Sequence, residues 1–79
     1  MKNEGFLINL KHFRKNVTSS DYYLINYILI CDGKYEVYTS FISQSLYEKI
    51  SKMNIKPLSK VNFIYEIGSN LKAKLVDVE

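Results

Sequence analysis

Apolar and polar residues alternate along most of this chain, and only one stretch changes that period. Phe6, Ile8 and Leu10 alternate with Leu7 and Asn9, predicting a first strand over residues 5–11. The stretch YYLINYILICDGKYEVYTSF, Tyr22 to Phe41, reads as two strands joined at Asp32-Gly33. Asp-Gly between apolar runs favours a two-residue type I′ turn, because both residues tolerate positive φ. Cys31 then pairs with Lys34, Leu29 with Glu36, Tyr27 with Tyr38 and Ile25 with Ser40. Leu24, Ile28, Ile30, Tyr35, Val37 and Phe41 occupy the opposite face, with Asn26 across from Thr39. That second face is the more apolar and is expected to be the core. The first, with Tyr23, Tyr27 and Tyr38 among Lys34, Glu36 and Ser40, is expected to be wet.

After the hairpin, Leu46, Ile50 and Met53 recur at helical spacing. Ser45 and Glu48 suggest a capping box, while Asn54, Ile55 and Pro57 form an exit signal, predicting a helix over residues 46–53. Val61, Phe63, Tyr65 and Ile67 define a fourth strand, and Leu71, Ala73 and Leu75 a fifth. A three-residue loop, Gly68-Ser69-Asn70, would place Tyr65 opposite Ala73, Phe63 opposite Leu75 and Glu66 opposite Lys72. Residues 12–21 have no sustained period and are rich in turn formers, so a long exposed loop is expected there.

Three strands, a helix and two strands is the order of an OB-like, five-stranded, partly open Greek-key barrel (β1-β2-β3-α-β4-β5), with an SH3-like barrel as the competitor. The chain has 79 residues, 47% of them hydrophobic, which suits one domain over residues 1–79 with a modest core that dimerisation would help. A single cysteine, Cys31, in an apolar run points to a buried thiol and a reducing compartment. Neither a secretory signal nor a membrane-spanning run is read, so a cytoplasmic protein without membrane contact is expected. The net charge of +3 permits a polyanionic partner without requiring one.

In an OB-like barrel the second and third strands and the flanking loops bind oligonucleotides. The candidate stacking residues are Tyr23, Tyr27 and Tyr38, with Phe13 as an extra ring. Lys11, Arg14, Lys15 and Lys34 are the candidate phosphate contacts. The same tyrosines also suit a dimer or partner interface, or ordinary strand packing. His12 lacks a second histidine or a neighbouring cysteine, so no metal is expected. Lys49, Lys52, Lys56 and Lys60 read as the solvated side of the helix and its exit. Ser19, Ser20, Asp21 and His12 offer triad residue types without a nucleophile elbow. With no phosphate-binding glycine loop and no paired carboxylates, neither enzyme activity nor a cofactor is expected.

The run DYYLINYILICDGKYEVYTSFIS, Asp21 to Ser43, resembles the central hairpin of the gene V family of filamentous-phage single-stranded DNA-binding proteins. The closing SKVNFIYEIGSNLKAKLVDVE is similar to that family's final hairpin. The helical stretch after Ser43 departs from the family, which has mostly loop there. The resemblance implies a small, dimeric, OB-like protein that coats single-stranded DNA with little sequence preference during replication or transfer of a phage or mobile element. RNA remains open as a ligand. The alternative is a small phage-encoded interaction module that inhibits a host enzyme or nuclease through the same face.

Overall fold

The computed structural model describes residues 2–14, 21–56 and 59–79. It contains β1 (Lys2–Arg14), β2 (Asp21–Cys31), β3 (Lys34–Phe41), α1 (Gln44–Lys52), β4 (Lys60–Ile67) and β5 (Ala73–Val78). All strand pairs are antiparallel, in the order β3-β2-β1-β4-β5. The mainly β class with one short helix is therefore as expected. The sheet is not closed, and β3 and β5 are its two edges.

The central hairpin follows its turn chemistry. Asp32 and Gly33 both have positive φ, 49° and 75°, and every expected pair from Cys31 with Lys34 to Leu24 with Phe41 forms. The assignment of its faces is reversed. Ile25, Tyr27 and Leu29 are buried, whereas Tyr35, Val37 and Phe41 on the other side are about two-thirds exposed. Alternation groups residues by face; the covering element decides which group becomes core. Here the Ile42 N–H donates to the Tyr23 carbonyl at 2.9 Å as the chain leaves the hairpin. The helix then lays Leu46 and Ile50 into the cluster containing Ile25, Tyr27 and Leu29.

The first strand is longer than its pattern suggests. It runs through His12, Phe13 and Arg14, which pair with Tyr23, Tyr22 and Asp21 instead of lying in a loop. A bulge at Ile8 interrupts the register, so Phe6 and Asn9 share the outer face while Leu7 and Leu10 point inward. At Gly5 neighbouring atoms come very close to the backbone. A Cβ there would lie 1.9 Å from the Ile28 carbonyl oxygen and 3.0 Å from the Phe63 ring, so the close approach requires glycine.

The helix starts earlier than expected. Ser43, not Ser45, is the N-cap, its hydroxyl accepting the Leu46 N–H at 3.1 Å. Asn54 adopts positive φ just beyond the C-cap, Met53, as the exit signal implies, while Pro57 lies outside the described residues. The last hairpin has a longer loop than expected. Gly68 N–H donates to the Lys72 carbonyl, Ile67 faces Ala73, Tyr65 faces Leu75 and Glu66 faces Lys74. A bulge at Val76 then brings Phe63 opposite Val78, and both are buried. Leu71 sits in the loop instead of the strand, with φ 61° and 86% exposure.

Candidate nucleic-acid interface

The expected tyrosine platform lies mostly inside. Tyr27 is 1% exposed, which corrects its reading as a ring open to a base. Its ring stacks on Phe63, centroids 4.5 Å apart, and its hydroxyl bonds to Ser40 Oγ at 2.9 Å and to the Tyr65 hydroxyl. A tyrosine satisfied in this way behaves as a core residue with a polar end. Tyr23 is half-buried, stacked on His12 at 4.5 Å and packed near Tyr47. Tyr38 keeps an exposed portion, but it lies on the inner face, against Tyr27, with its hydroxyl donating to Glu36 at 2.5 Å.

The open aromatic surface lies on the outer face of β1, β2 and β3. At one end Phe13 approaches Tyr22 (5.6 Å) and Tyr22 approaches Phe41 (6.1 Å). Phe6 and Tyr35 lie 6.3 Å apart at the other end. A polar row separates them: Thr39 Oγ1 donates to Asn26 Oδ1 at 2.5 Å, and Asn26 Nδ2 donates to Asn9 Oδ1 at 2.7 Å. Of the expected ring residues, only Phe13 belongs to this surface. Tyr35 and Phe41 are not among the expected ring residues because the pattern places their face toward the core, and Phe6 and Tyr22 carry no binding expectation. Their available signal was aromatic content on both faces of one hairpin, more than a single short helix can cover.

The cations divide between free and engaged. Lys11 is exposed and pairs in register with Leu24, which places it on the outer face, and Lys34 is exposed at the hairpin turn. Arg14 donates through Nε to Asp21 at 2.8 Å, and His12 Nε2 reaches the other carboxylate oxygen at 2.8 Å. This clasp joins the end of β1 to the start of β2. The hydrogen bond from Arg14, helped by that with His12, holds the Asp21 carboxyl below its ordinary range. Arg14 is thus partly neutralised as a phosphate contact, and Lys15 lies outside the described residues. Lys49 is paired with Asp77, so it fastens the helix to β5. Lys52 and Lys56 stay exposed along the helix exit.

Three of the tyrosines are held in their protonated form. Burial raises the pKa of Tyr23, hydrogen bonding to Glu36 raises that of Tyr38, and burial with the Tyr27 contact raises that of Tyr65. These phenols stay protonated at neutral pH. Among the described residues no group of three or more His, Cys, Asp or Glu side chains is arranged to hold a metal, and no helix is long and apolar enough to cross a membrane. Cys31 is a half-buried free thiol packed against the core.

No family model matches the chain, and neither a curated protein nor a solved structure does.

Proposed function

We propose that this protein binds single-stranded DNA with little base preference, through the outer face of β1, β2 and β3. The observation that carries the reading is the pair of ring clusters, Phe13–Tyr22–Phe41 and Phe6–Tyr35, on a sheet face that no described element covers. Bases stack on such rings with roughly 1–3 kcal/mol each, and the contact tolerates any sequence because every base has a π-face. The polar row between the clusters offers hydrogen bonds to a strand crossing the face. Lys11 supplies a phosphate contact on this face, while Lys34 at the hairpin turn and Arg14 at the end of β1 belong to the inner-face series and reach a strand where it passes the ends of the sheet.

The strand order supports an OB-like barrel opened between β3 and β5: β1 pairs with both β2 and β4, and the helix lies between β3 and β4. A role in phage or mobile-element replication or transfer follows from the resemblance of the central and final hairpins to gene V-like proteins. A homodimer in the cytoplasm belongs to the same reading.

Anisotropy of a labelled oligo-dT at two salt concentrations tests the proposal. With about two to four phosphates neutralised, log affinity falls with log salt at a slope of roughly −1.5 to −3. Phe41→Ala and Tyr35→Ala each weaken binding about tenfold with that slope unchanged. Asp21→Asn frees Arg14 and steepens the slope by about 0.7. No binding by the unmodified protein at low salt refutes the reading.

A second reading has its own observation. Val37 is 70% exposed among the rings, and Leu24, Ile28 and Ile30 lie on the same face, an aliphatic content that suits a protein partner such as a host enzyme or nuclease. Capture of one saturable protein from nuclease-treated host lysate, together with no affinity for oligonucleotides, favours this alternative.

A further inference from the structure

We propose that the cleft between the two sheet edges, β3 and β5, accepts one unstacked base of the strand bound across the outer face. The inference rests on the single-strand reading above and extends it to a second, inner-facing subsite. The cleft has a volume of about 330 Å³ and lies where β3 and β5 fail to pair. Its β3 wall consists of Tyr38 and Ser40, β2 contributes Tyr27 and Leu29, and Asn3, Tyr65 and Ala73 line the rest.

Three features suit a base. The first is a flat ring at the entrance: Tyr38 is 38% exposed and held by its offset stack on Tyr27, 5.9 Å away, and by its bond to Glu36. A fixed ring loses little freedom when a second ring stacks on it. Next come the polar groups. Ser40, Tyr27 and Tyr65 form a connected hydroxyl chain, while the Asn3 amide, with both a donor and an acceptor, has no hydrogen-bond partner among the described residues. A few convergent polar groups in a largely apolar cleft are the usual pattern of a small-ring site. The third is continuity. Tyr35, Val37 and Phe41 of β3 face outward and alternate with Tyr38 and Ser40, which face the cleft. A strand leaving the outer face over the unpaired edge of β3 therefore meets the cleft next.

Ala73 makes the test practical, because a larger side chain at this exposed position of β5 fills the space without entering the core. The experiment uses the full chain and oligo-dT carrying 5-iododeoxyuridine, which crosslinks to nearby aromatic rings under light. Crosslinks on Tyr38 or Tyr65, in addition to outer-face rings, are expected in the unmodified protein. Ala73→Phe should abolish the inner crosslinks, keep the outer ones and weaken binding about tenfold. Asn3→Ala, which leaves the packing intact, should weaken it by a smaller factor and serves if Ala73→Phe fails to fold. Crosslinks confined to the outer face, with unchanged affinity in both variants, overturn the subsite while leaving the outer-face reading standing. Absence of binding by the unmodified protein overturns both. Altered oligomeric state with unaltered DNA affinity in Ala73→Phe assigns the cleft to a second copy and refutes the base.

Discussion

The two faces of the β2–β3 hairpin have fates opposite to their hydrophobicity, the less apolar one buried and the more apolar one exposed. The inner face places Ile25, Tyr27 and Leu29 beneath the helix and against Phe63, whereas the outer face leaves Tyr35, Val37 and Phe41 about two-thirds exposed. The difference is coverage. One nine-residue helix and the β4–β5 hairpin can shield only one side of the sheet, and Ser40 and Tyr65 supply the partners that let the Tyr27 hydroxyl lie inside. The proposed interface is the face that no described element covers.

The sharpest way to break this comparison is to remove one ring from each face. Phe63 is 0% exposed, so Phe63→Ala should cost about 3–5 kcal/mol, a large share of the stability of a domain of this size. Phe41→Ala on the outer face should change stability by less than about 1 kcal/mol while weakening oligo-dT binding. Urea denaturation of both variants decides the matter. Equal losses would mean that the outer face is also packed.

Gly5→Ala attacks the close contact of β1 with β2 and with Phe63. The added methyl meets the Ile28 carbonyl oxygen, part of the backbone, so the strands must separate and the Phe63 ring must move. A loss of about 2–3 kcal/mol is expected, measured by the same denaturation, with m unchanged.

How much of this was legible in the sequence follows from where the information resides. The hairpin register was, because Asp32-Gly33 admits few turns and one turn sets every pair. The strand–helix order was too, since the period changes at Leu46. Face assignment was not: alternation is symmetric between sides, and a tyrosine counts as wet or dry according to whether its hydroxyl finds a partner distant in sequence, as Tyr27 does with Tyr65. The extension of β1 through His12, Phe13 and Arg14 was hidden for a related reason. Those residues have no period of their own and are held by pairing to Tyr23, Tyr22 and Asp21. In the last hairpin, Gly68-Ser69-Asn70 looked like a complete loop, but the closing bond reaches Lys72. The candidate site inherits the face error: of the expected site residues only Phe13 and Lys11 lie on the outer face, and the pattern does not point to the other outer rings.

Tyr27→Phe sharpens the comparison by a smaller step. It keeps the ring on Phe63 and removes the hydroxyl that Ser40 and Tyr65 share, so it should cost about 1–2 kcal/mol. A stacking role for Tyr27 predicts the reverse pattern, unchanged stability with altered DNA binding. Thermal denaturation beside an oligo-dT titration separates the two. At 1% exposure the ring itself does not stack on a base, so any weakening in the titration should be small and trace to the hydroxyl lost from the β3–β5 cleft.

The smallest expected effect lies away from both faces, at Leu71. Its φ of 61° is a left-handed conformation that a leucine adopts at a cost, and at 86% exposure its side chain returns little by packing. Gly68 N–H to Lys72 carbonyl and Leu71 N–H to Gly68 carbonyl hold the turn, so the backbone and not the side chain sets this geometry. Leu71→Gly removes the steric penalty but also loosens the unfolded chain, which offsets part of the gain. The net expectation is a stabilisation of about 0.5 kcal/mol, read as a rise in denaturation midpoint. DNA affinity should stay the same if binding belongs to the outer face and the β3–β5 cleft; a marked loss would show that Leu71 touches the bound strand and would add the last loop to the interface.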